Sequence, residues 1–285
     1  MTAGLGNQHN TITTGDKYIP ELWSERVQRA YKSKLGVANL VLRLDSDVKA
    51  FGDVIHVPKP GTFTTNDKAA STQITPQANT DDYFTLTVDK HKEASFLIED
   101  NLDKKSKYNL EAIFADEAGF AIAKKIDSDI LALYSGLSQN VGGSGSDFTK
   151  AYALSAIEKL DIADVPMEDR HWILYPSIKT DILNIDNFSI ESSQGLGASN
   201  AINTGNVEKL LGIPIFWSTN VPITSTTFVH NMLIQREAFA LAMQMAPRTQ
   251  RSYIHEYLGD LYTVDTLYGV AEYRDAAGIE VRTRK

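Results

Sequence analysis

The chain's six histidines, His9, His56, His91, His171, His230 and His255, are the first residues to weigh for chemistry. None stands in a His-Glu-x-x-His run or another compact ligand set. His56 and His91 flank what reads below as the base of a hairpin and could approach each other. Two imidazoles without a third ligand make a poor zinc site, so the spacing favours a hydrogen-bonded pair. His255-Glu256 reads as a polar strand pair. There is no cysteine, which excludes disulfides, thiol nucleophiles and cysteine-held zinc or iron–sulfur centres. Carboxylates come in close pairs, Asp45/Asp47, Asp81/Asp82 and Asp127/Asp129. The last two sit about 200° apart around a helix and do not converge on one site. Solvated acid is the expected role of each.

The glycine-rich segments give no catalytic signature either. Gly195-x-Gly197-x-x-Asn200 lacks the third glycine of a dinucleotide fingerprint and follows a polar stretch instead of a buried strand. No glycine is followed at P-loop spacing by Gly-Lys-Ser/Thr. Gly143-Ser144-Gly145 falls in a linker, away from any strand-to-helix elbow that would present a nucleophile. Lys124-Lys125 and Arg282-Thr283-Arg284-Lys285 are basic clusters of a size that suits surface charge or a salt bridge between subunits. No catalytic, cofactor-binding or metal-ligating residue is assigned, and no cofactor is expected.

The elements that would position chemistry are unusual in their own right. At 285 residues, with 42% hydrophobic and 22% charged side chains, the chain can bury a substantial core. No apolar run nears the roughly 20 residues of a membrane-spanning helix. The start, Met1 to Gln8, lacks the basic-then-apolar order of a signal peptide, which points to synthesis and retention in the cytoplasm. A net charge of −8 disfavours tight nucleic-acid binding, which depends on neutralising phosphates.

Residues 1–19 are polar and read as an extended arm. Pro20 opens a helix whose apolar stripe is Trp23, Val27, Tyr31 and Leu35, with Gly36 as its stop. Residues 51–91 read as one very long hairpin. Val54–Val57 and Tyr83–Val88 are its base strands, and the polar stretch Lys59–Asp82 has too little apolar surface to order itself. Leu102–Leu137 reads as a single helix of roughly 50 Å, with Leu110, Phe114, Ala118, Ile122, Ile126, Ile130 and Tyr134 on a drifting ridge that more than one neighbour should cover. Val141–Ser146 is a Gly/Ser linker and a domain boundary. An α/β pattern follows. Ala151–Leu160 is a helix, Trp172–Tyr175 a strand, Ser177–Ile185 a helix capped by Ser177, and Leu211–Trp217 an edge strand because Pro214 cannot donate. Phe228–His230 and Phe239–Met245 are strands. Tyr268–Tyr273 and Ile279–Arg282 read as a closing hairpin turned at Gly278 with positive φ.

In this order the elements resemble those of tailed-bacteriophage major capsid proteins, the Hong Kong 97 (HK97) fold. The resemblance rests on Ile19-Pro20-Glu21-Leu22-Trp23-Ser24, the 51–91 hairpin, the long helix, Leu211-Gly212-Ile213-Pro214-Ile215 before Ser218-Thr219-Asn220-Val221-Pro222, Glu237–Ala242 and Gly269–Arg274. It implies an α+β subunit divided into an N-terminal arm (1–19), a helix region opening the peripheral (P) domain (20–50), an E-loop hairpin (51–91), the P-domain spine helix (92–141), an axial (A) domain (142–227) and return strands (228–285). It further implies pentamers and hexamers of this chain in an icosahedral virion shell made in the host bacterial cytoplasm. The implied partners are a separate scaffolding protein, a portal and a decoration protein, around enclosed dsDNA that is not read by sequence; no membrane is involved. Some relatives cross-link through a lysine, an asparagine and an acid. Lys59 and Lys68 lie in the loop, but no motif assigns that chemistry, and none is predicted. An encapsulin-like compartment sharing the fold, and a small-ligand enzyme using the Gly195–Asn200 loop, are the alternatives.

Overall fold

Two β-sheets, each with a hydrophobic layer on both faces, organise the chain. The computed structural model describes residues 36–48, 52–59, 61, 63–74, 76–78, 82–106, 109–143, 145–185, 207–224 and 228–285. The arm of residues 1–19, the helix expected at Pro20 and the Gly195–Asn200 loop lie outside the described residues. Asp81, Ser144 and every residue before Gly36 lie outside them too.

In chain order the elements begin with β1 (Leu42–Arg43), α1 (Asp45–Val48), β2 (Val54–Lys59), β3 (Asp82–Thr87), β4 (Lys90–Glu99), α2 (Asp100–Lys105) and α3 (Leu110–Leu131). They continue with β5 (Asn140–Gly142), α4 (Lys150–Ile162), β6 (Arg170–Leu174), α5 (Ile178–Leu183), β7 (Lys209–Leu210), β8 (Ile213–Trp217) and β9 (Ile223–Thr224). The chain closes with β10 (Phe228–Gln235), β11 (Phe239–Ile254), β12 (Gly259–Glu272) and β13 (Gly278–Arg284). The first sheet runs β1-β11-β12-β4; the second runs β5-β13-β10-β6-β8-β7, with β9 beside β10; β2 and β3 pair only with each other.

Alternation decides what each face of the first sheet covers. Phe239, Leu241, Val264 and Tyr268 point to the side of α3, joining Ala118, Ile122, Ile126 and Ile130 in one core. Ala240 and Ala242 point the other way, onto Ile55, Leu86 and Val88 at the base of the β2–β3 hairpin. The second sheet buries Trp172, Leu174, Leu233, Ile279 and Val281 against α4 and α5. Its opposite face sends Ile173, Met232 and Ile234 into the core shared with α3.

The helix expected over Leu102–Leu137 is three pieces. Ser106 is extended, and the Asn109 side chain accepts the Ala112 N–H at 3.1 Å, so a fresh helix starts there. Asparagine competes with helix continuation by capping the next turn. At the far end Ala132–Gly136 tightens into a 3₁₀ turn and Leu137 is extended. The 22 residues of α3 span about 33 Å, not 50. The expectation of neighbours on several sides holds: α3 packs on β4, β11 and β12 and also meets the 3₁₀ turn Val37–Asn39.

Other expectations change as well. The Gly/Ser linker begins as a strand, β5, which pairs in parallel with β13. Gly142 has φ +85°, and a Cβ there would collide with the Arg282 carbonyl, so the glycine serves close strand approach. Tyr268–Tyr273 and Ile279–Arg282 do not form a hairpin: β12 pairs with β11 and β4, while β13 pairs with β10 and β5. Gly278 has φ −130° and is small because Leu137 and Ala238 crowd it. Pro214 does lie near the sheet's edge. It pairs with Lys209 of two-residue β7, while the ladder of β8 with β6 runs only from Ile215 to Trp217. Ser177 stands at the start of α5, but its side chain makes no capping hydrogen bond. β4, ten residues with alternate side chains exposed, sits in a stretch expected to introduce the helix.

Candidate assembly surface

The β2–β3 hairpin carries a long connection whose described residues are almost all exposed. Its base is fixed by register: Val54 opposes Thr87 and Lys59 opposes Asp82, six pairs in all. Leu86 is fully buried and Phe84 meets Tyr273 edge-on at 4.9 Å, so the base is held on the first sheet. Gly269 of β12 sits beneath it, with no room for a Cβ between its backbone and the Thr87 carbonyl.

Beyond Lys59 and Asp82 the described residues form no strand or helix and are almost all exposed. The eleven residue-to-residue steps from Lys59 to Ala70 can reach about 36 Å when extended. The return is made at Ala69–Thr72, where Thr72 donates to the Ala69 carbonyl through both its N–H (3.3 Å) and its hydroxyl (2.7 Å), and Ser71 takes φ +65°. Partway along, Gln77 bridges the two limbs. Its Oε1 accepts the Thr64 N–H at 3.0 Å and its Nε2 donates to the Thr64 carbonyl at 2.6 Å. The amide side chain thus stands in for the peptide group a ladder partner would supply. Two large apolar side chains, Phe63 (67% exposed) and Ile74 (68%), project from this otherwise polar arm. Lys59 and Lys68 are exposed on it.

A second exposed region is the outer half of the β11–β12 hairpin. β11 has bulges at Met243–Met245 and Met245–Arg248, where Pro247 removes a ladder donor. Outward of them its side chains are exposed. Arg248 and His91 converge on Asp265, at 3.0 and 3.2 Å. The hydrogen bond from Arg248, then that from His91, holds the Asp265 carboxyl below the usual range. Arg251 similarly lowers Asp260, and Tyr253 donates to Asp100 at 2.9 Å.

His56 and His91 do not pair. His56 meets Thr85 at 3.2 Å across β2–β3, and His91 belongs to β4 with Asp265 as its partner. The two strands lie in different sheets, a separation that proximity to a shared turn does not reveal. His255 is in the turn after β11 and meets Tyr253 edge-on, so His255-Glu256 is not a strand pair. His171 bonds the Asp169 carbonyl at 3.1 Å. His230 is buried between Thr224 (2.7 Å) and Glu280 (2.5 Å), with Tyr134 stacked on its ring at 4.2 Å.

Among the described members of the acid pairs, three do more than face solvent. Asp127 is buried and accepts the N–H groups of Gly36, Val37 and Ala38 at 2.9 to 3.4 Å, tying the chain's entry to α3. Asp129 takes Lys125 (2.7 Å) and the Tyr268 hydroxyl (2.9 Å). Asp45 accepts the Met243 N–H at 2.8 Å and fixes α1 against β11. Of the basic clusters, Lys125, Arg282 and Arg284 are engaged within the chain, by Asp129, Glu280 and Asp147. No cluster of metal-ligand type occurs among the described residues, and no helix among them is long and apolar enough to cross a membrane.

The fold as a whole is similar to that of chains from solved bacteriophage structures. A chain from Mycobacterium phage Che8 superposes with a TM-score of 0.81 over 93% of this chain and 97% of its own, at 23% identity. The chain of the cyanophage P-SCSP1u capsid superposes with a TM-score of 0.78, covering 98% and 97%, at 19% identity. This chain has the fold of a bacteriophage capsid subunit. The capsid of a native GTA particle is similar too, with a TM-score of 0.72 over 97% and 99% at 13% identity. The sequence itself matches no protein-family model and no curated relative.

Proposed function

We propose that this chain is the major capsid protein of a tailed bacteriophage, a structural and non-enzymatic subunit that closes into an icosahedral shell of pentamers and hexamers around dsDNA. The observation that carries the reading is likeness to phage chains across nearly the whole length. The physics of the arm supports it. A polar limb that carries Phe63 and Ile74 into solvent gains nothing in a monomer, whereas against a second copy it removes two large apolar side chains from water.

In this reading the 51–91 hairpin is the E-loop lying on a neighbouring subunit. The α3-backed first sheet belongs to the P domain, and the second sheet with α4 and α5 to the A domain. Residues 1–19 act as an arm, and 228–285 return strands to both sheets. A separate scaffolding protein guides assembly, a portal occupies one vertex, and decoration proteins bind the outside. Synthesis is in the host bacterial cytoplasm and residence in the virion.

The test is expression with and without the neighbouring scaffold gene, followed by size-exclusion chromatography and negative-stain microscopy. Shells or curved sheets are expected in at least one condition. Monomer alone in both would overturn the reading. Deleting residues 61–81 is expected to abolish those assemblies while the subunit stays folded.

A further inference from the structure

The four most exposed large apolar side chains among the described residues are Met167 (76%), Ile162 (74%), Ile74 and Phe63, and they stand in two places. Phe63 and Ile74 are on the arm of the β2–β3 hairpin. Ile162 ends α4, and Met167 follows it in the turn of residues 163–169 that leads into β6. Single exposed apolar residues are ordinary on a protein surface, whereas a pair on a built surface marks a contact.

The turn that carries Met167 is held rigid from inside. Arg170, its side chain 2% exposed, donates to the Pro166 carbonyl at 2.9 Å and the Val165 carbonyl at 2.5 Å, and meets Asp161 at 2.7 Å. A buried guanidinium is stable only where its donors are paired, so these bonds fix the path of the turn. The Val165 N–H returns to the Leu160 carbonyl at 3.1 Å, and the Asp169 carbonyl accepts the Arg236 N–H at 3.2 Å. Asp164 and Asp169 take φ of 54° and 56°, a region sparsely populated by residues other than glycine. The shape so fixed packs Val165 against the core and leaves Met167 in solvent, with Asp164, Glu168 and Asp169 exposed around it.

The arm offers the counterpart. Between its limbs lies an open cleft of about 330 Å³, walled by Phe63 and Ile74 and lined also by Thr64, Asp67, Lys68 and Gln77. The Gln77 amide that clasps Thr64 is thus part of the lining and ties the two limbs together there. Methionine suits an irregular apolar gap because it is unbranched and adaptable, and its sulfur is attracted to an aromatic ring such as that of Phe63. Lys68 is the cation of the cleft, and Glu168 is the residue after Met167. We propose that the cleft on the arm of one copy receives Met167 of a second copy, with Ile162 closing over its apolar walls and Lys68 opposite Glu168. Arm and turn are different surfaces of one chain, so the contact is head-to-tail and can repeat around a ring. The seat rests on the assembly reading and specifies where on a neighbour the arm lands: the α4–β6 turn beside the second sheet.

The chain has no cysteine, so paired cysteines report the contact without background. Phe63→Cys/Met167→Cys, assembled in the condition that gives shells or sheets and oxidised with copper phenanthroline, is expected to link into dimers and longer ladders on a non-reducing gel, with the 63 and 167 peptides joined. Phe63→Cys/Tyr257→Cys, whose second position is also well exposed, is the control and is expected to link far less. Ile74→Cys/Ile162→Cys repeats the measurement if the first pair does not fold. Lys68→Glu and Glu168→Lys are each expected to lower the assembled fraction roughly threefold, the scale of one exposed ion pair, and the two together to restore it. Normal assemblies in which neither pair links above the control would overturn the seat and leave the assembly reading standing. Monomer alone from the unmodified chain would overturn both.

Discussion

Two long hairpins leave the same sheet region and differ in how far their ladders run. β11 and β12 stay paired out to Ile254 opposite Gly259, because β12 is covered by β4 on one edge, β11 on the other and α3 on its face. Tyr262, Val264 and Tyr268 keep that face apolar along most of its length. In the β2–β3 hairpin the ladder stops at Lys59 opposite Asp82. The apolar residues Ile55, Leu86 and Val88 lie at its base, and past Tyr83 the described limbs offer only Phe63 and Ile74. The lesson is that strand pairing persists as far as a covered apolar face supports it. Farther out, a side-chain amide, Gln77, has to supply what a ladder would.

Three perturbations sharpen this contrast. The largest effect is expected from Tyr268→Ala, which removes a fully buried ring and its hydrogen bond to Asp129. A loss of about 4 kcal/mol is expected in urea unfolding. A loss under 1 kcal/mol would mean that β12 is not the support of the longer hairpin. Gly269→Ala is expected to cost about 2 kcal/mol, because the added methyl must push the Thr87 carbonyl off β12. Its signature is loss of exchange protection in β2 and β3 with little change in β10; uniform loss would show that the hairpin base is not separately docked. The smallest effect is expected from replacing residues 61–81 with a short Gly/Ser turn. Stability should move by no more than about 0.5 kcal/mol, and a drop of several kcal/mol would place the arm in the subunit core.

The sequence was most legible where one period ran without interruption. Val54–Val57 against Tyr83–Val88, Ala151–Leu160 and Trp172–Tyr175 all read correctly, since alternating or helical burial is written directly in residue type. It was least legible where partners are remote. Tyr268–Tyr273 and Ile279–Arg282 look like neighbours across a Gly-containing turn, yet the turn switches sheets, and nothing local distinguishes the two outcomes. The segment Lys90–Glu99 alternates, but its lysines and glutamates masked a ten-residue strand. Asp127 was taken as solvated because its role depends on Gly36, Val37 and Ala38, some ninety residues earlier.

Residue order alone thus determined that this is a cysteine-free α+β chain with long polar segments and a ridge-bearing helix. These are properties of composition and short-range period, which no distant contact can alter. Tertiary structure alone decided where α3 begins and ends, which strands join which sheet, and that Asp127 meets the backbone of Gly36, Val37 and Ala38. Each of those depends on backbone groups and carboxylates finding partners far away in the chain. The energy of such a pairing lies in the distance between the groups and the water excluded around them.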